Sequence, residues 1–142
     1  MELKHKNITE IIIKAYFEVY NELGFGFLES IYESALSIAL SDKGLGVERQ
    51  KDVSVYFRGQ LIGVFRPDLI IEDKVIIEFK AVKHLLPEHE AQILNYLKST
   101  DIEVGMLITF GQTPKFKRFV FENSRKAIRE DQRQSAATYL WN

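Results

Sequence analysis

The chain of 142 residues contains no cysteine. That excludes a disulfide framework, a zinc knuckle and an iron–sulfur centre, all of which depend on cysteine sulfur. Proline is scarce, at three residues, and glycine stands at eight, so no Pro- or Gly-rich linker divides the chain. Apolar runs are short: none approaches the roughly 20 residues that a membrane-spanning helix needs. The N-terminal MELKHKNITE is charged and leads straight into a helical pattern, unlike a secretory leader. A cytoplasmic protein that meets no membrane is expected. Net charge is nearly absent too, at −1, and taken whole it argues for no polyanionic partner. What the chain does have is 46% hydrophobic residues, enough for one domain with a packed core.

Charge is unevenly placed. Residues 1–113 hold 12 Lys/Arg against 17 Asp/Glu, whereas residues 114–142 hold 7 against 3. The segment KFKRFVFENSRKAIREDQR is therefore locally basic, with phenylalanines interleaved at its start. Lys115, Lys117 and Arg118 are candidates for phosphate contacts; a solvated face on a terminal element explains the same composition.

Periodicity places the elements. Asn7 followed by Glu10 reads as an N-cap with its capping box, and Ile8, Ile12, Ala15, Tyr16, Val19 and Leu23 recur at helical spacing up to Gly24. A second helix is expected from Phe27 to about Ser41, with Leu28, Ile31, Ala35 and Ile38 inward. From Val47 the pattern turns to strands. Arg58–Gly59–Gln60 reads as the turn between VSVYF and LIGVF, and Glu72–Asp73–Lys74 as the next. Pro87 opens a third helix with Ala91, Leu94 and Leu97 inward, and EVGMLITF (103–110) reads as a strand buried on both faces. FKRFVF follows as an edge strand. The order α-α-β-β-β-α-β describes one mixed α/β domain, residues 1–122, with a polar, basic extension over 123–142.

Chemistry concentrates in FRPDLIIEDKVIIEFKAV, residues 65–82. Side chains alternate along a strand, so Glu78 and Lys80 share a face and Phe79 takes the other. With a three-residue turn at 72–74, Asp68 falls opposite Glu78 on that face; a two-residue turn would set it against Phe79 instead. In the first register two carboxylates and an ammonium meet, and the carboxylates raise each other's pKa unless a cation intervenes. An oxygen-rich pocket of this kind suits Mg²⁺ or Mn²⁺. An acid and a lysine two apart on a strand, taken alone, read equally well as a surface ion pair.

The pattern Pro67–Asp68 … Glu78–Phe79–Lys80 resembles the signature of the PD-(D/E)xK nuclease superfamily. GFLESIY (26–32) is similar to the G-x-x-E-x-x-Y pattern of a family of small proteins within it. QILNY (92–96) resembles the Q-x-x-x-Y helix of its recombination-exonuclease branch. The resemblance spans about residues 5–120. The resemblance implies a restriction-endonuclease-like core, a mixed central sheet flanked by helices. It implies that Asp68, Glu78 and the main-chain carbonyl of Phe79 bind Mg²⁺ or Mn²⁺, with Glu29 completing the acidic cluster. Lys80 would then orient the attacking water, and Gln92 would hold the site or a phosphate oxygen with Tyr96 supporting it.

Spacing accords with this. Glu29 and Tyr32 are three apart on a helix, and Gln92 and Tyr96 four apart, so each pair shares a face. Tyr32 and Tyr96 also read as packing residues, and Gln92, beside an apolar stripe, needs a partner. His84 and His89 lack a third strong ligand, and His5 reads as exposed. The function implied is metal-dependent hydrolysis of nucleic-acid phosphodiesters, DNA before RNA, with a homodimer open. A non-catalytic nucleic-acid-binding or regulatory module on the same fold, and a small-molecule phosphoesterase, are the alternatives.

Overall fold

The computed structural model describes residues 3–126. Two helices come first, α1 (Lys6–Leu23) and α2 (Glu29–Asp42). Five strands follow: β1 (Val47–Arg49), β2 (Val53–Phe57), β3 (Gln60–Phe65), β4 (Leu69–Ile71) and β5 (Val75–Lys80). Then come α3 (Pro87–Lys98), β6 (Val104–Phe110) and β7 (Pro114–Val120), and a 3-10 turn at Asn123–Arg125. Five strands form one mixed sheet in the order β1-β4-β5-β6-β7. Only β5 and β6 run parallel, which demands a long crossover, and α3 supplies it. This is the restriction-endonuclease-like architecture, a mixed α/β sheet flanked by helices.

Burial on both faces explains the aliphatic runs. β4, the first half of β5 and all of β6 are buried. On one face Ile71, Val75, Ile77, Phe79, Met106 and Ile108 pack with α1 and α2 residues such as Tyr16 and Leu36. On the other, Ile70, Ile76 and Leu107 meet Ile93 and Leu97 of α3. Gly105 has a packing reason: a Cβ there would lie 2.9 Å from Ile93 Cδ1.

Several local expectations are corrected. Helix α1 starts at Lys6, capped by His5 at φ 53° with no side-chain cap, so Asn7 lies inside the helix and its capping box does not form. His5 is itself partly buried, not exposed. Helix α2 starts at Glu29 rather than Phe27, and its buried stripe is Tyr32, Leu36 and Leu40. Leu28, Ile31 and Ile38 point outward, at 75%, 44% and 64% exposure. The stripe is rotated because two apolar rows run along α2, and the row carrying Tyr32 reaches the aromatic core around Phe110. In α3 the buried residues are Ile93 and Leu97, while Ala91 is exposed and Leu94 half-buried.

The strands number seven among the described residues. Strand β1 joins the sheet edge, and β2 and β3 stand apart as a two-stranded sheet. Their turn is the two residues Arg58 and Gly59, both at positive φ, with Gln60 already paired to Phe57; such a turn matches strand twist. Residues 123–126 fold back onto the domain: Lys126 is buried and its Nζ donates to the carbonyls of Thr100 (2.9 Å) and Ile102 (2.7 Å). The rest of the C-terminal extension, 127–142, lies outside the described residues. No helix among the described residues is long and apolar enough to cross a membrane.

Candidate active site

The hairpin of β4 and β5 adopts the register with Glu72–Asp73–Lys74 in the turn. Leu69 pairs with Ile77 and Ile71 with Val75, so Asp68 lies opposite Glu78. At that point the backbone ladder stops and side chains replace it. The backbone N–H of Phe79 donates to Asp68 Oδ2 at 2.8 Å, and that of Asp68 donates to Glu78 Oε1 at 3.2 Å. This reciprocal pair of bonds holds two carboxyl groups side by side at the open end of the hairpin.

Electrostatics follow from that placement. Burial, then the charge of Asp68, pushes the Glu78 carboxyl up to about 8, although Lys80 nearby pulls it down. Burial also raises Asp68, with the negative charges of Glu33 and Glu29 adding to it. Ionising both carboxyls at once is therefore disfavoured, and a cation between them would relieve that. The donor set, two carboxylates and adjacent main-chain carbonyls, fits a hard divalent ion.

The remaining predicted residues divide. Lys80 sits half-buried at the end of β5, on the carboxylates' side of the sheet. Tyr96 stands near them, since both Glu78 and Asp68 raise its hydroxyl pKa after the larger effect of burial. Its ring stacks on Phe65 at 3.6 Å, and Gln92 Nε2 donates to its hydroxyl at 2.7 Å. Gln92 thus finds its partner in Tyr96 and positions that ring. His89 is no ligand candidate: its Nδ1 accepts from the backbone N–H of Leu86 and caps α3.

Glu29 reaches over the end of β5, where its Oε2 accepts from the Ala81 N–H at 2.7 Å. Its charge reaches Asp68, while no group of three or more His, Cys, Asp or Glu among the described residues is placed to hold a metal ion. Tyr32 is fully buried, stacked on Phe110 at 3.9 Å, and its hydroxyl donates to the Gly24 carbonyl at 2.6 Å. Its work is to clamp the loop between α1 and α2.

The three basic candidates separate. Residue alternation puts Lys115 and Lys117 on the α3 face of β7, where Lys117 pairs with Glu90 of α3 at 2.5 Å. Arg118 points to the α1 face, donates to the Lys4 carbonyl and leaves its Nε buried without a hydrogen-bond partner. Neighbouring strands also align Lys80 with Thr109 and Thr109 with Lys115. Two strand spacings, about 10 Å, then separate two cations in one row beside the carboxylates.

Sequence reasoning missed a bracket behind Asp68. Glu33 is buried in α2 and accepts from Arg49 Nη2 (3.0 Å) and Gln50 Nε2 (2.6 Å). Gln50, held at φ 51°, donates its backbone N–H to the Asp68 carbonyl at 3.2 Å. The available signal was Glu33 itself, an acid one helical turn beyond Glu29 on the same face.

No match was found among curated proteins. Among solved structures the chain is similar to that described as the crystal structure of SSO0001. Identity is 18% and the TM-score 0.49, over 99% of this chain and 80% of that one. A family model covers residues 6–119, the span that holds the hairpin, both flanking motifs and all but the last residue of the sheet, and by that match the chain belongs to the PD-(D/E)XK nuclease superfamily.

Proposed function

We propose that the protein is a metal-dependent nuclease that hydrolyses phosphodiester bonds in nucleic acid, with DNA favoured. The observation that carries this is the Asp68–Glu78 pair, fixed side by side by reciprocal backbone hydrogen bonds beside Lys80. Magnesium or manganese as the ion, the GxxExxY branch of the superfamily and a cytoplasmic place of action belong to the same proposal.

Asp68, Glu78 and the Phe79 carbonyl would hold the ion, with Glu29 joining through water. When bound, a divalent ion supplies Lewis-acid polarisation of the phosphate and an acidified water. Lys80 orients the attacking water and balances charge that develops on the phosphate. Tyr96, steadied by Gln92 and Phe65, walls the site on the α3 side. Lys115 meets the phosphate next to the one being cut.

The test is cleavage of plasmid, linear duplex and single-stranded DNA in Mn²⁺. Lys80→Ala should still bind Mn²⁺ and nucleic acid, yet cut about 10²–10³-fold more slowly. Asp68→Asn should abolish both cutting and the rise of melting temperature with Mn²⁺. Equal rates for wild type and Lys80→Ala would place any nuclease activity elsewhere. The second reading is a non-catalytic nucleic-acid-binding or regulatory module on the same fold. Normal DNA binding by a wild type that cuts none of the three substrates would select it.

A further inference from the structure

A cavity of about 370 Å³ opens at the carboxyl ends of the parallel strands β5 and β6. Its lining includes Phe25, Phe27, Val82, Lys83, Phe110 and Gln112. Ligands in open α/β sheets bind in the crevice at this end of the strands, and roughly 300–1,000 Å³ is the usual size of a small-molecule pocket. Phe25 and Phe27 stand at its mouth with 54% and 47% of their surface exposed. Two exposed aromatic rings, two and four residues from a candidate active-site acid, are expensive to leave in water.

These rings are not on a loose loop. The Tyr32 hydroxyl donates to the Gly24 carbonyl and accepts from the Phe27 N–H at 3.3 Å. The Phe27 ring meets Tyr32 edge-on at 5.9 Å, and Tyr32 lies flat on Phe110 at the cavity floor. Gly24 and Gly26 take φ 71° and 107°, which side chains other than glycine resist. Glu29 ties the other end of the loop to Ala81, the residue after Lys80. The glycine, acid and tyrosine of GFLESIY therefore build a rigid aromatic lip and fasten it to the strand end that carries the carboxylates.

We propose that this lip binds an unpaired nucleobase next to the scissile phosphodiester, so that the enzyme's substrate is a single-stranded segment rather than continuous duplex. The inference rests on the nuclease reading for the position of the phosphodiester. Charge complementarity selects the occupant: Lys83 lines the cavity and Lys80 stands across the strand end, so a base in the cavity keeps its own phosphates between cations. A single strand crossing the end of β5 brings one phosphodiester to Asp68 and Glu78 on the α3 side. The adjoining base then turns over Phe25 and Phe27 on the α2 side. A base within a duplex is already stacked on its neighbours and does not reach the rings. Aromatic platforms of this kind accept any base, because each has a π-face.

The experiment measures binding without cleavage, in EDTA, of a single-stranded oligonucleotide containing 2-aminopurine and of a blunt duplex of the same sequence. Wild type should bind the single strand more tightly and quench the 2-aminopurine fluorescence. Phe25→Ala with Phe27→Ala should lower single-strand affinity about 5- to 150-fold, the stacking contribution of one base, and leave duplex affinity within about twofold. Phe25→Leu with Phe27→Leu keeps the apolar volume, guards against a folding defect, and should lose the quenching as well. Retained quenching and affinity in the leucine variant, or no single-strand preference in wild type, would overturn the proposal. The two readings fail separately. Cleavage in Mn²⁺ that needs Asp68 but is indifferent to both rings refutes the lip alone. Ring-dependent quenching without any cleavage supports the lip and refutes the nuclease.

Discussion

The half-buried carboxyl pair should make the metal-free protein less stable as pH rises. Glu78 titrates near 4.5 in an unfolded chain and at about 8 in the folded one, mainly through burial and then through the charge of Asp68. Between those values the folded state holds a proton that the unfolded state has released, so stability falls with increasing pH. At about 1.4 kcal/mol per pKa unit, the full loss across the window is roughly 4–5 kcal/mol. That is a large share of the roughly 5–15 kcal/mol that typical domains possess. Asp68 is shifted in the same direction and adds to the slope at its lower end. His5, whose pKa is lowered chiefly by burial, contributes the opposite sign below its ordinary value. Comparison with Glu78→Gln removes it, because the amide keeps an oxygen for the Asp68 N–H but does not ionise. Urea unfolding in EDTA at half-unit steps from pH 5 to 9 should show the decline in wild type and a nearly flat curve in Glu78→Gln. Saturating Mg²⁺ should flatten the wild-type curve as well, since it holds both carboxylates ionised in the folded state. A wild-type profile that is flat, or parallel to that of the variant, would refute the account of a desolvated, mutually repelling pair.

The rotated stripe of α2 predicts that Leu36→Ala costs about 2–5 kcal/mol while Ile38→Ala stays within about 0.5 kcal/mol; equal losses by urea unfolding would return Ile38 to the core. Removing the Tyr32 hydroxyl with Tyr32→Phe should cost about 1–3 kcal/mol, because the Gly24 carbonyl loses its donor, and an unchanged midpoint would refute the clamp. Lys115→Ala should reduce the salt dependence of DNA binding by about one phosphate contact, whereas Arg118→Ala should leave that slope unchanged because Arg118 faces Lys4 and α1. A slope altered by Arg118 and not by Lys115 would invert the assignment of faces.

The hairpin was legible because its information is local. Strand alternation puts Glu78 and Lys80 on one face whatever the rest of the chain does, and three polar residues between LII and VII favour the turn that brings Asp68 opposite. The same holds for the start of α3 at Pro87, and for β6, whose short unbroken apolar run of strand length fits a doubly covered strand. Helix α2 was not legible in this way. Leu28, Ile31, Ala35 and Ile38 form as good a helical row as Tyr32, Leu36 and Leu40, and periodicity cannot rank two rows. Contact with Phe110, 78 residues further along the chain, decides between them.

The basic cluster shows the same limit. Lys115, Lys117 and Arg118 are neighbours in sequence, but a strand sends adjacent side chains to opposite faces, and which face meets α3 depends on sheet order. Period, turn length and residue chemistry act over a few residues, so the sequence pattern alone determined a mixed α/β domain and set Asp68, Glu78 and Lys80 on one face of a hairpin. The restriction-endonuclease-like core came with the resemblance of the motifs. Only the tertiary structure decided that the carboxylates replace backbone pairing, that Glu33 and Gln50 stand behind them, and that the glycine-acid-tyrosine motif builds an aromatic lip. Each of those depends on elements that meet across the sheet, at separations the chain pattern does not encode.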